Sequence, residues 1–146
     1  MSSQRWAAAA LIVLGLGVPG CTTVTSATEA PQEKPAKVEA VQGKNVKSVT
    51  LTEQAVKRVG VETTTVAAAA TGTVVPYQAV IYTPDGNTWV YIVAGSRQYV
   101  REQVTIATVG GNAGTEAFLS AGPAVGTTIV KTGLIELYGA ELGVGK

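Results

Sequence analysis

Side chains able to do chemistry are scarce in this chain, and the scarcity limits what it can do. Histidine is absent, and cysteine and methionine occur once each, at Cys21 and Met1. The commonest general base near neutral pH and the commonest metal ligand are therefore missing. No intrachain disulfide or soft metal site can be assembled from a single thiol and a single thioether. Carboxylates for paired acid–base work are available at Glu102, Glu116, Glu136 and Glu141, but the pattern around each predicts a solvated face. The glycine-rich "VGGNAG" at residues 109–114 lies among strand formers and lacks the Lys-Ser/Thr pair that a phosphate loop needs. This inventory predicts a non-enzymatic protein with no cofactor and no bound metal.

Charge narrows the partners further. Eleven Lys and Arg against ten Asp and Glu leave a formal net charge of +1 over 146 residues, and the basic residues are scattered rather than grouped in runs. Neither a nucleic-acid footprint nor a polybasic lipid-binding patch is present in that pattern. Cys21 is the one residue whose position implies a covalent reaction. It follows "MSSQRWAAAALIVLGLGVPG", where a single Arg5 precedes an apolar run from Trp6 to Val18 and a small residue, Gly20, closes the segment. That is the anatomy of a secretory signal over residues 1–20. The run is shorter than the roughly 18–20 residues that cross a bilayer comfortably.

"VPGC" resembles the bacterial lipobox: Val18, Gly20 and Cys21 fit it, and Pro19 departs from it. The resemblance implies that Cys21 takes a diacylglyceryl thioether and becomes the new N-terminus. Two acyl chains at about 0.8 kcal/mol per buried methylene suffice for stable anchoring. The protein is then expected on the extracytoplasmic face of a bacterial membrane, held there through its lipid.

The elements that would position any site come after this address. Residues 21–45 have no aromatic residue, two prolines and mixed charges, and are read as a lipidated, disordered tether with a reach of about 25–30 Å. The alternative of a short helix in "KPAKVEAVQGK" lacks an amphipathic stripe. A folded module is expected over residues 46–146. Val46, Val49 and Leu51 belong to a strand, Thr52 suits an N-cap, "EQAVKRV" a short helix with Ala55, Val56 and Val59 on one face, and Gly60 its C-terminus. "TPDGN" between the runs Val74–Tyr82 and Thr88–Val93 predicts a hairpin. "QYVREQVTIATVG" alternates, placing Val100, Val104 and Ile106 on one face, with Glu102 as the misfit. Short strands are predicted near Ala117–Leu119 and Thr128–Lys131, and "GLIELYGAELG" reads as turn-like. The sum is a mainly β fold, a small β-barrel or sandwich of five to seven strands with one short helix. The run Ala67–Gly72, four alanines and Thr-Gly, fits neither a sheet pattern nor a tight turn.

Aromatic residues and Arg are the types enriched at interface hot spots. Trp89 and Tyr91 are expected to alternate into the core, which leaves Arg97, Tyr99, Arg101 and Glu102 as candidates for a partner surface.

Several segments, "VTLTEQAVKRVGVETTTV", "VPYQAVIYTPDGNTWVYIV", "YVREQVTI" and "AGPAVGTTIVKTGLIELYGAELGVG", resemble the membrane-proximal parts of periplasmic adaptor subunits, the HlyD-like membrane fusion proteins of RND-type efflux systems. The matching positions include Gly60, Pro76, Ala79, Asp85, Gly86, Trp89, Tyr91, Val100, Arg101, Val104, Gly122 and the closing Glu136–Glu141. They keep the family order and span most of residues 46–146. The lipoyl-like domain, helical hairpin and barrel that separate the first of these segments from the second in a full adaptor have no room between Val66 and Thr73. The resemblance implies a truncated adaptor that binds or modulates an RND-type transporter, a full-length adaptor or another copy of itself. The alternative is a structural envelope lipoprotein that uses the β domain for self- or wall association. Thr22 after the lipobox Cys resembles an outer-membrane destination, in tension with the inner-membrane address of an efflux adaptor.

Overall fold

The computed structural model describes residues 33–144, so the signal segment, Cys21 and the first part of the tether lie outside it. Its elements in chain order are β1 (Ala36–Ala40), β2 (Lys47–Leu51), α1 (Glu53–Val59), β3 (Glu62–Thr65), β4 (Ala67–Ala68), β5 (Thr73–Pro76), β6 (Ile81–Tyr82), β7 (Thr88–Gly95), β8 (Gln98–Gly110), β9 (Glu116–Ala121), β10 (Thr128–Thr132) and α2 (Leu134–Leu142). The strands follow the order β3-β10-β7-β8-β9-β5-β4, with β1 and β2 added beside β8 and β6 beside β7. Because β3 and β4 are successive parts of one extended stretch, this order brings the sheet nearly round to itself as a barrel-like closure. The expected mainly β barrel or sandwich is therefore present, with more and shorter strands than the five to seven anticipated.

Both faces of the central strands are buried, which the apolar alternation of β7 demands. Tyr91 and Val130 point to one core with Val49, Leu51, Ala55, Leu134 and Leu137. Val90 and Ile129, their chain neighbours, point to a second core with Val66, Val75, Val104, Ala117 and Leu119. The helices cover the first core, and the strands enclose the second. Each fully buried side chain of this size contributes about 1.5–3 kcal/mol relative to exposure.

The local chemistry of α1 is as the sequence predicts. The Thr52 hydroxyl accepts from Ala55 N at 3.2 Å, Gly60 closes the helix at φ 69°, and Ala55 is the fully buried position. A cap of this kind is worth about 1 kcal/mol.

Four expectations need correction. Residues 36–40, read as tether, form β1, an antiparallel partner of β2 with Val38 opposite Val49. Leaning Ala36 and Val38 on the first core is what draws them into the fold. The run Val74–Tyr82 is not one hairpin arm. Pro76, which has no N–H to donate, ends β5, a 3₁₀ turn follows at Tyr77–Ala79, and only Ile81 and Tyr82 pair with β7. β5 pairs instead with β9. The closing "GLIELYGAELG" is a nine-residue helix rather than a turn, because Leu134 and Leu137 bury one face of it.

The alanine run, finally, is itself a tight hairpin. Ala67 and Ala68 pair with Val74 and Thr73, and Ala69 N donates to Gly72 O at 3.3 Å. Gly72 sits at φ +80°, and a Cβ there would lie 2.0 Å from the Leu119 carbonyl oxygen. Glycine is required twice over, by the left-handed backbone and by the close approach of β9.

Candidate functional site

The most concentrated polar chemistry of the domain is a carboxylate sealed under α2. Strand alternation sets Trp89 and Tyr91 on one face of β7 and Tyr99, Arg101 and Gln103 on the adjoining face of β8, with Tyr91 directly opposite Arg101. Helical spacing then aims Leu137 and Glu141, four residues apart, down onto them. Glu141 Oε2 accepts from the Tyr91 hydroxyl at 2.6 Å and from Arg101 Nε at 2.8 Å. Its Oε1 accepts from Arg101 Nη2 at 3.0 Å and from the Lys47 backbone N–H at 3.2 Å. The Arg101 guanidinium also lies 4.6 Å from the Trp89 ring centre and 5.1 Å from that of Tyr138. It is held between two aromatic faces as well as by its partner.

This is a buried ion pair: the side chains of Arg101 and Glu141 are 12% and 3% exposed. Burial, followed by the hydrogen bond to Glu141, pushes the Tyr91 hydroxyl far above the ordinary tyrosine range. Burial is the largest single influence on Arg101 and works to lower it, but the hydrogen bond to Glu141 together with the nearby charge of Glu141 and the hydroxyls of Tyr91 and Tyr138 makes the net shift upward. Both effects keep the Tyr91 hydroxyl neutral and the Arg101 guanidinium charged. A carboxylate with both oxygens doubly occupied and no solvent access has no free lone pair for proton abstraction. What the cluster does is fasten α2, β2, β7 and β8 together.

Beside it runs an open groove bordered by Lys44, Asp85, Asn87, Trp89, Glu102 and Gln103. The β6–β7 turn that forms its wall is braced from within. The Thr83 hydroxyl donates to the Asp85 carboxylate and accepts from Trp89 Nε1 at 3.1 Å, while Asn87 Nδ2 donates to Asp85 Oδ2 at 2.7 Å and Gln103 Nε2 to Asn87 Oδ1 at 3.0 Å. Hydrogen bonds from Thr83 and then Asn87 hold Asp85 below the usual carboxylate range. Among the described residues no three His, Cys, Asp or Glu side chains gather as a cation site, and no helix is long and apolar enough to cross a membrane.

The four residues expected to form a partner surface do not all lie on one exposed patch. Tyr99 is buried in the first core, opposite Val49. Arg101 is held by Glu141, Trp89 and Tyr138 and still lines the groove. Arg97 stands exposed at the β7–β8 turn with φ 55°, its carbonyl accepting from Leu51 N at 2.9 Å. Arg97, exposed on its turn, and Glu102, half-buried on the groove that Arg101 also lines, keep positions compatible with the expected role. Glu141, expected on a solvated face, is the least accessible acidic residue among the described ones. The sequence held one usable signal for this. The hairpin register sets an aromatic residue opposite an Arg two strand positions from Trp89, a pairing that requires an acid nearby once it is buried.

Comparison with protein-family models, with curated proteins and with solved structures returns no match.

Proposed function

We propose that this is a non-enzymatic, lipid-anchored extracytoplasmic protein, an isolated adaptor-type membrane-proximal domain that binds or modulates an RND-type membrane transport complex. One observation carries the reading. Trp89, Tyr91, Arg101, Tyr138 and Glu141 all belong to the positions that resemble efflux adaptors, they come from three separate segments, and they converge on one buried cluster. A resemblance confined to strand-forming composition would not select residues that meet in space. The β4–β5 hairpin supports the same reading. It closes the domain with a short loop at the point where a full adaptor continues into its lipoyl-like domain, helical hairpin and barrel, and closing so short a loop costs little entropy.

The test is affinity capture of the full, lipidated chain from solubilised membranes. Recovery of a transporter or a full-length adaptor is expected; recovery of only itself or wall components would replace this reading with that of a structural envelope lipoprotein. The anchor is tested separately by labelled fatty acid, which should enter the wild-type chain and not the Cys21→Ser variant.

A further inference from the structure

β1 pairs with β2 alone, so its outer edge has no partner among the described residues. That edge is held rigid at both ends. Val41 N donates to Val46 O at 3.2 Å beyond one end, and Thr52 N donates to Pro35 O at 3.0 Å beyond the other. These two bonds fix the direction of every backbone group between them. Pro35 and Val41 turn toward β2, so by alternation Lys37 and Glu39 do the same, and the N–H and C=O groups of Ala36, Val38 and Ala40 point outward. Three donors and three acceptors stand ready on a pre-formed strand.

The side chains on this strand identify an occupant. Lys37 and Glu39 flank Val38, and their side chains are 71% and 51% exposed and paired with each other at 3.0 Å. We infer that β1 is a self-association edge, pairing antiparallel with β1 of a second copy about a two-fold axis through Val38. In that register Val38 faces Val38 and Ala36 faces Ala40 as hydrogen-bonded pairs, so all six outward N–H groups of the two copies find carbonyls. Lys37 of each copy faces Glu39 of the other in the non-hydrogen-bonded pairs, where side chains approach most closely. The two-fold axis makes the contact closed and self-complementary, so it stops at a dimer. Charged side chains on an edge discourage pairing with strands at large; here their signs alternate, so that in this register they attract their own copy. The exposed apolar residues Ile135 and Leu142 of α2 are the rival contact, since they share one side of the helix.

Disulfide trapping in the Cys21→Ser chain, which has no other thiol, tests the register directly. K37C and E39C proteins are purified separately and oxidised alone and mixed. The mixture is expected to form covalent dimer at least tenfold faster than either protein alone; no dimer, or equal rates, overturns the pairing. The charge argument is tested in a V38C background, where the same residue meets itself across the axis. K37E should slow dimer formation about tenfold by setting like charges opposite each other, and adding E39K should restore the rate. If K37E has no effect, or the exchanged pair fails to recover, the association lies elsewhere, with the α2 residues as the next place to look.

Discussion

Replacing Glu141 with Ala is the sharpest perturbation the structure offers. The change removes both acceptors of Arg101, the acceptor of the Tyr91 hydroxyl and that of the Lys47 N–H. Leaving one member of a buried ion pair uncompensated costs about 3–5 kcal/mol, and an orphaned buried hydroxyl about 1–3 kcal/mol more. Because the groups share one acceptor the costs do not add in full, and a loss of about 4–5 kcal/mol is expected. That is a large part of the ~5–15 kcal/mol that holds a domain folded. Urea unfolding followed by the fluorescence of Trp89, whose ring faces the Arg101 guanidinium, reads this as a midpoint lower by about 3 M at a slope near 1.5 kcal/mol/M. Glu141→Gln, which keeps the shape and one acceptor, should lose about half as much. The triple variant Y91F/R101M/E141L removes every charge and hydroxyl together and should stay within about 2 kcal/mol of wild type. A loss below about 1 kcal/mol for Glu141→Ala would refute the fastening role.

Two further outcomes follow from the geometry. Gly72→Ala and Gly86→Ala both place a Cβ on a backbone near φ +80°, but only at Gly72 does it meet fixed backbone, the Leu119 carbonyl, whereas Gly86 has nothing within 4 Å. Gly86→Ala should cost about 1 kcal/mol, the left-handed penalty alone, and Gly72→Ala at least about 3 kcal/mol; equal Tm losses would contradict the close approach. At high pH, Tyr91 governs the response. Its folded pKa lies above its ordinary value of 10.0, so its contribution is complete below that value and is lost as pH rises past it. Stability should fall above about pH 10, with Tyr91 phenolate appearing only as the protein unfolds, and Tyr91→Phe should flatten the decline. Phenolate formation by Tyr91 in the folded domain would count against its burial.

Sequence and structure agree best where the deciding chemistry is local. Thr52 and Gly60 bracket α1 by capping, and the alternation of Gln98–Gly110 needs no distant partner to read as strand. They part where a distant contact decides. "AKVEA" is short, charged and next to prolines, and becomes β1 only because β2 and the first core accept it. α2 begins after Gly133 and contains Gly139, a poor helix prospect by propensity, yet Leu134 and Leu137 have a core to fill. Glu141 looks like surface because its partners lie 40 and 50 residues away. The alanine run resisted reading because Gly72 answers to Leu119, a neighbour that only the closed sheet supplies.

β8 pairs with β7 along Gln98–Val104 and with β9 along Thr105–Gly110. It places Tyr99 in one core and Val104 in the other. Neither core can come apart without releasing the strand that the other depends on, so the domain has no seam along which to melt in stages. A single cooperative transition follows, with amides near both ends of β8 exchanging by the same global opening. A substitution in either core lowers the stability of the whole and spares no part of it.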